Sequence, residues 1–348
     1  MWRWVLTHTV VRAYFADSYL GERAMLTIVL ATHNGAEWLP LTLESFTKLR
    51  APQGGHKIVI VENGSTDNSR EILDAFKGRL NLSVLHREIA NKGAALNAAI
   101  PEFEGDLIVL TDDDVIVDPG WLIELRKAAD EQLDFDVFGA CIKPYWPIEP
   151  PEWIFRLVRL GSTYGLTSPD LEAGAVNPGL VWGANMAVRR TIFQEGHRYN
   201  EDFGPQIGQY RMGGETEFTR RLANLGHKAW FVPEAQIEHI IRLNQLKPRW
   251  IIKRAYRQGR CDFWHQNDPA LAIENTEYHP VVSCIFGVPR WKYRVLIVSA
   301  IKLVMAKVRG DFDSWFTASW DYSNMRGDLV ESLSDQGRCL RRNIDKSS

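Results

Sequence analysis

The sequence predicts an α/β fold: a mostly parallel sheet covered by helices, followed by a helical C-terminal extension. Three features predict it. Short apolar, β-branched runs alternate with helix-patterned segments from Leu26 to Val137. The early runs stop at polar turns. Beyond His239 only helical patterning remains. In a sheet of this kind ligands bind outside the carboxyl ends of the strands, so the polar turns are expected to line one pocket.

The elements follow in order. Leu26 to Ala31 reads as a buried strand ending in Thr32-His33-Asn34-Gly35. Lys57 to Glu62 is a second strand, followed by the turn Asn63-Gly64-Ser65-Thr66-Asp67 and a helix from Asn68 to Phe76. A short strand, Leu82 to Leu85, precedes an Ala-rich helix from Lys92 to Ile100. Leu107 to Leu110 is another buried strand and runs into Thr111 and three aspartates, Asp112, Asp113 and Asp114. Pro119 fits the first turn of the next helix. After Val137 the rhythm breaks: Pro144 to Pro151 is rich in proline and aromatics, and Pro169 to Gly183 reads as a loop region. Asn185 to Val188 and Trp230-Phe231-Val232 are strands, and Glu215 to Leu225 is a helix between them. Helices are then expected over Pro248–Trp264, Trp291–Val308 and from Asp311 onward. The implied division is an N-terminal extension (1–24), a catalytic domain (25–240) and a helical region (241–348). Met25 stands just before the first strand, so the residues ahead of it are expected to stand outside the catalytic fold.

With 41 basic and 43 acidic residues the net charge is −2, which gives no case for a nucleic-acid partner. Cys141, Cys261, Cys284 and Cys339 lie far apart, none at metal-finger spacing, as expected for reduced thiols in a cytoplasmic protein. A membrane span needs about 20 apolar residues. Val295 to Val308 is shorter and carries Lys302 and Lys307. Asp17, Glu22 and Arg23 follow a weakly apolar N-terminal stretch that does not read as a secretory signal.

The aspartates carry the sharpest chemistry. Three adjacent carboxylates repel one another unless a cation sits among them. A hard divalent ion takes oxygen ligands and shares them with substrate phosphates. The alternative is a solvated acidic turn, which a position directly after a buried strand disfavours. In the turn after the second strand, the Glu62 carboxylate is placed to accept from a nucleobase N–H. Alternatively this is an ordinary turn with Asp67 as a helix cap. Asn91, Lys92, Gly93 and Asn97 open a helix whose N–H groups and lysine suit a phosphate. Gly213-Gly214-Glu215-Thr216-Glu217 puts two carboxylates at a helix start, where they stay ionised as a general base requires. A surface capping pair is the other reading of that segment.

Together these segments resemble the inverting family 2 glycosyltransferases and their GT-A fold. Thr27-Ile28-Val29-Leu30-Ala31-Thr32-His33-Asn34 resembles the family's opening strand, and Val61-Glu62-Asn63-Gly64-Ser65-Thr66-Asp67 its Val-Asp-Asn/Asp-Gly-Ser-x-Asp turn. Asn91-Lys92-Gly93-Ala94-Ala95-Leu96-Asn97 is similar to its Asn-x-Gly element, and Leu110-Thr111-Asp112-Asp113-Asp114 to its Asp-x-Asp metal motif. Gly183-Ala184-Asn185-Met186-Ala187-Val188-Arg189-Arg190 resembles a Gly-x-Asn-Met-Ala-x-Arg-Arg stretch, and Gly214-Glu215-Thr216-Glu217 falls where the catalytic acidic segment lies. The sequence departs from the pattern at Glu62, Leu96 and Glu215, where Asp, Arg and Asp are usual. The resemblance implies donor contacts from Thr32, Asn34, Glu62, Asn63, Asn91, Lys92, Gly93, Asn97, Asp112, Asp113 and Asn185. It implies a divalent Mn or Mg ion on Asp112, Asp114 and His239. Glu215 is implied as the base, with Glu217 second and better suited to holding the loop.

The implied reaction is a single displacement moving a sugar from a nucleotide-diphospho-sugar to a hydroxyl of a saccharide or lipid-linked acceptor, in surface polysaccharide or glycolipid synthesis. Arg254-Ala255-Tyr256-Arg257-Gln258-Gly259-Arg260 resembles a stretch of bacterial members that build surface polysaccharides. From Arg290 to Arg309 every charged residue is basic, which reads either as peripheral contact with the inner face of a membrane or as a helix packed on the catalytic domain with its lysines solvated. One rival, a sugar-1-phosphate nucleotidyltransferase, usually carries a Gly-rich, Arg- and Lys-bearing loop where this chain has Thr32-His33-Asn34-Gly35-Ala36-Glu37. The other rival, a non-catalytic nucleotide-sugar-binding module, accords with the changes at Glu62 and Glu215 but not with the intact aspartates.

Overall fold

The computed structural model describes residues 25–206, 210–271, 283–334 and 336–338. The expected N-terminal extension and Cys339 lie outside the described residues. The first half runs Leu26–Thr32 (β1), Leu39–Phe46 (α1), His56–Asn63 (β2), Ser69–Phe76 (α2), Leu82–Arg87 (β3), Lys92–Ala99 (α3) and Leu107–Thr111 (β4). It continues through Val115–Val117 (β5), Trp121–Glu131 (α4) and Val137–Tyr145 (β6). Two short helices, Glu152–Leu157 (α5) and Leu160–Tyr164 (α6), lead to Gly174–Val176 (β7), Asn185–Arg189 (β8) and Arg190–Gln194 (α7). Gly214–Asn224 (α8) and Ala229–Ile240 (β9) complete the sheet. The rest is helical apart from one hairpin: Pro248–Asn267 (α9), Cys284–Ile285 (β10), Val288–Pro289 (β11), Arg290–Arg309 (α10) and Phe312–Leu333 (α11).

The sheet order is β3-β2-β1-β4-β8-β6-β9-β5, with β7 added on β9. The pairs among β1, β2, β3 and β4 are parallel, as expected. Beyond β4 the sheet is mixed, because β8 runs antiparallel between β4 and β6. β1 is apolar almost throughout because both its faces are covered. Ile28 and Leu30 pack with Leu39, Leu43 and Phe46 on one side, and Val29 packs with Ala95 and Leu96 on the other. Helix α4 begins two residues later than the proline suggested, with Gly120 at its N-cap. The strand expected at Trp230 runs on to Ile240, passing Pro233 through a register shift against β6 that spares the proline a ladder hydrogen bond.

Two-way pairing puts the carboxyl ends of β1, β2, β4, β6 and β9 and the start of β8 on one rim. The helices after residue 240 close over this rim, and a buried carboxylate ties them down. Glu331 of α11 accepts from Arg211 Nε (2.8 Å) and Trp264 Nε1 (3.0 Å) on one oxygen and from Arg260 Nε (2.8 Å) on the other. Burial raises its pKa, but the hydrogen bonds from Arg211, Trp264 and Arg260 outweigh this and hold it below the usual glutamate value. A depressed carboxylate stabilises the fold above its unfolded pKa, and that stability is lost as pH falls through the folded pKa. Glu331→Gln is therefore expected to cost about 3–5 kcal/mol near neutral pH. Thermal melts of variant and parent should converge as the pH falls through the lowered folded-state pKa of Glu331, where the parent's carboxylate is protonated too.

Candidate active site

One cleft of about 690 Å³ opens at the carboxyl rim. Asp112, Asp113 and Asp114 line it from the end of β4, His239 from the end of β9, and Glu215 from the first turn of α8. Gly213, at φ 78°, supplies the left-handed turn that starts α8 at the cleft edge. A Cβ on Gly183 would overlap the Glu215 side chain, so a glycine there makes room for the carboxylate.

Lys92 is the cation at the centre. Its Nζ lies 2.6 Å from Asp112 Oδ1 and 2.5 Å from Glu215 Oε1. Burial lowers the Lys92 pKa, but Asp112 and Glu215 raise it well above the ordinary lysine value. Burial in turn raises the Glu215 pKa, and Lys92 overcomes this to leave the carboxyl below its usual value. Asp113 accepts from Thr32 Oγ1 at 2.6 Å. Burial and the Asp114 charge push its pKa up to about 7. Asp114 takes Arg242 Nη2 at 2.8 Å on one oxygen and faces His239 Nε2 at 3.4 Å with the other. Burial raises its pKa, but His239 and Arg242 more than offset this and hold it well below the aspartate range.

The donor set suits a hard divalent cation. His239 Nδ1 is 2.7 Å from the Tyr164 carbonyl oxygen, which only accepts, so Nδ1 carries the proton and Nε2 faces Asp114. Cis ligands on a metal with bonds of about 2.1 Å are about 3 Å apart, close to the Asp114–His239 spacing of 3.4 Å. Asp112 is engaged by Lys92 instead. Among the described residues, the metal-ligand trio with atoms within 4.8 Å of one another is Glu195, His197 and His227. It lies at the opposite rim, beside the start of β9, and is not the expected centre.

Several residues expected at the donor are elsewhere. Asn185 is fully buried. Its amide accepts from Trp121 Nε1 (2.8 Å) and donates to the Cys141 and Ala235 carbonyls (2.9 Å each), so it locks β8 in the sheet. Glu62 is fully buried and braces its own turn, accepting from the Ser65 N–H (2.5 Å) and Arg70 Nε (2.7 Å). Asn34 caps the same turn through Thr66 N–H at 2.8 Å. Thr32 is buried under Asp113. Asn91, Gly93 and Asn97 hold the segment from Tyr199 to Glu201 rather than the cleft. The Lys92 N–H donates to the Pro205 carbonyl at 3.0 Å, so the helix start offers fewer amides to a phosphate than expected. Glu217 is buried, with both oxygens on Arg221 (2.9 and 3.2 Å), and does not line the cleft. Asn63 does line it, as do Lys92 and the three aspartates.

The sequence reading missed an entire wall. Trp182, Tyr210 and Trp250 line the cleft together with Arg254, Arg257 and Gln258 of α9. Arg257 stacks on Tyr210 and Arg254 on Trp250, with guanidinium carbons 4.1 and 5.5 Å from the ring centres. Arg254 and Arg257 are three residues apart on one helix, a spacing that puts both on the same face and is the one signal that could have placed them. The division at residue 240 thus cuts through the site.

An α/β sheet with acidic, basic and aromatic side chains gathered at its carboxyl rim has the architecture of the GT-A fold. Residues 27–196 match the family model described as glycosyl transferase family 2. The chain is 22% identical over 209 residues to a glucosyl-dolichyl phosphate glucuronosyltransferase of Haloferax volcanii, covering 58% of this chain and 65% of the relative. It is 22% identical over 238 residues to glycosyltransferase AglE of the same organism, covering 68% and 72%. Its fold matches the mannosyltransferase PcManGT of Pyrobaculum calidifontis, solved with GDP-Man and Mn2+, at a TM-score of 0.51 and 15% identity over 92% of this chain and 79% of that one. Both relatives are glycosyltransferases, and the chain spans 65% of the length of the first.

Proposed function

We propose that the protein moves a sugar from a nucleotide-diphospho-sugar to a hydroxyl of a saccharide or lipid-linked acceptor, with inversion and with a divalent Mn or Mg ion. One observation carries this reading: an ionised carboxylate, Glu215, shares a single cleft with the Asp112–Asp114 rim and is coupled to it through Lys92. Glu215 takes the acceptor proton, which requires hydrogen-bond reach of about 3 Å. Lys92, Arg254 and Arg257 are among the cleft's cations and are assigned to the diphosphate, and Trp182, Tyr210 and Trp250 offer flat apolar faces to a sugar. Asp112, Asp114 and His239 would hold the metal, whose chemistry is to neutralise charge on the departing diphosphate. The likeness to a glucosyl-dolichyl phosphate glucuronosyltransferase supports a lipid-phosphate acceptor class and, with it, work at a membrane surface.

The test is a panel of UDP-, GDP- and dTDP-sugars with Mn2+, read first as thermal stabilisation and then as transfer or hydrolysis. One member should raise the melting temperature only with metal present, since a ligand bound to the folded state alone stabilises it. Pyrophosphate release from a nucleoside triphosphate and a sugar 1-phosphate would favour the nucleotidyltransferase rival. Metal-dependent binding of a donor with neither transfer nor hydrolysis would favour the binding module. No stabilisation by any member would overturn the reading.

A further inference from the structure

No described helix is long and apolar enough to cross a membrane. Yet α10 turns much of its apolar surface to solvent. It rests on the protein along a narrow seam of Lys292, Ser299 and Ala306, spaced seven residues apart. On the opposite face Ile297, Ile301, Val304, Met305 and Val308 are 46% to 83% exposed. Their spacing of four, three, one and three residues keeps them on one side of a helix. A continuous stripe of this kind on a soluble surface marks a contact site.

The charges beside the stripe have one sign. From Ser283 to Gly310 every charged residue is basic: Arg290, Lys292, Arg294, Lys302, Lys307 and Arg309. Lys292 alone is neutralised inside, by Asp328 at 2.6 Å. The other five make no ion pair among the described residues. The β10–β11 hairpin adds a wedge. Its turn places Phe286 at φ 51° and Gly287 at φ 74°, and Phe286 is 85% exposed. A bulky side chain at positive φ is strained, and here no packing within the protein compensates for it. Tyr293 Oη donates to the Ile285 carbonyl at 3.2 Å, which ties the hairpin to the first turns of α10.

We propose that the outward face of α10 and the Phe286 tip dock the protein onto anionic lipid bilayers, the helix lying in the plane of the interface. The apolar stripe enters the acyl boundary, and the five unpaired cations meet lipid phosphates. A bilayer fits this face better than a second protein copy does. Two copies packed through it would bring ten like charges together with no acidic partner on the same element.

The test is co-sedimentation of the full chain with vesicles of phosphatidylcholine alone or mixed with phosphatidylglycerol. Binding to the mixed vesicles should be at least about tenfold tighter and should fall as salt is raised. Ile301→Glu with Val304→Glu should abolish it. Lys302→Gln, Lys307→Gln and Arg309→Gln together should erase the preference for anionic lipid. Phe286→Ser should weaken binding severalfold. These residues are exposed, so the melts should match the parent and any loss reads as docking. Donor-dependent stabilisation should be unchanged in every variant, so failure here is separable from failure of the glycosyl-transfer reading. Equal binding to neutral and anionic vesicles overturns the proposal. So does absence of binding, or a vesicle-free dimer dispersed by the Ile301→Glu and Val304→Glu pair.

Discussion

Glu215→Gln is expected to lower turnover by about 10²–10⁴ while nucleotide-sugar binding stays within a few-fold of normal. Gln keeps the shape of the side chain and removes its charge and its capacity to take a proton, while Lys92 keeps Asp112 as a partner. Glu217→Gln should instead leave chemistry largely intact, because Glu217 is spent on Arg221 beneath the helix and does not reach the cleft. The difference follows from helix geometry: residues two apart point to well-separated faces. Gly183→Ala tests the same assignment without touching the carboxylate, since a Cβ there forces Glu215 aside, and it should share the loss of turnover. The pH profile adds a second readout. Glu215 must be ionised to act, and its pKa is lowered by Lys92 against the effect of burial. The acid limb of kcat/KM is therefore expected below the ordinary glutamate value of about 4.3. Lys92→Met removes the largest influence opposing burial and should move that limb upward. A full loss in Glu217→Gln with an active Glu215→Gln would shift the base by two positions and leave the family unchanged.

The parallel half of the fold was legible because its strands are covered on both faces. A strand such as Ile58 to Val61 must be apolar at every position, and it stands out against the polar turn that ends it. The mixed half was less legible. β5 and β7 have three residues each, too few to show a period. Trp230 to Val232 was recognised, but Pro233 and Glu234 look like a strand end. Only pairing with β6, which shifts register there, carries the strand to Ile240. α10 was readable as a helix, but its composition alone does not say how much of it is covered; contacts with α11 along one seam leave the rest exposed.

In the site, residues that act by charge in the cleft were legible and those that shape it were not separated from them. Asp112 and Glu215 are at the ends of recognisable elements, and the fold brings them to one lysine. Asn185 and Glu62 belong to equally recognisable segments, yet their side chains point inward. A polar residue that locks a sheet and one that binds a ligand look alike in sequence, because both are held to a strand end. The aromatic and arginine wall of α9 reaches the cleft only through tertiary packing, fixed by the buried contacts of Glu331. Nothing local to residues 250–258 records that docking.

Asp112→Asn is expected to abolish metal-dependent turnover at a nearly unchanged melting temperature, whereas Asp114→Asn should abolish turnover and destabilise the fold as well. Both aspartates read alike from the sequence, as the two ends of a metal motif. The structure separates them. The Asp112 side chain is 27% exposed and meets Lys92, which retains Glu215 when Asp112 is neutralised. Asp114 is 10% exposed and holds Arg242 and His239. Removing its charge leaves the Arg242 guanidinium facing a neutral amide in a buried place, a change that costs about 3–5 kcal/mol. Inactivity of the Asp114 variant alone therefore says little about metal, and Asp112 is the cleaner probe. Titration with Mn2+ should stabilise the parent in the presence of its donor and leave Asp112→Asn unmoved. If Asp112→Asn keeps normal activity with a chelator present, the carboxylate rim serves the fold and the reaction runs without the ion.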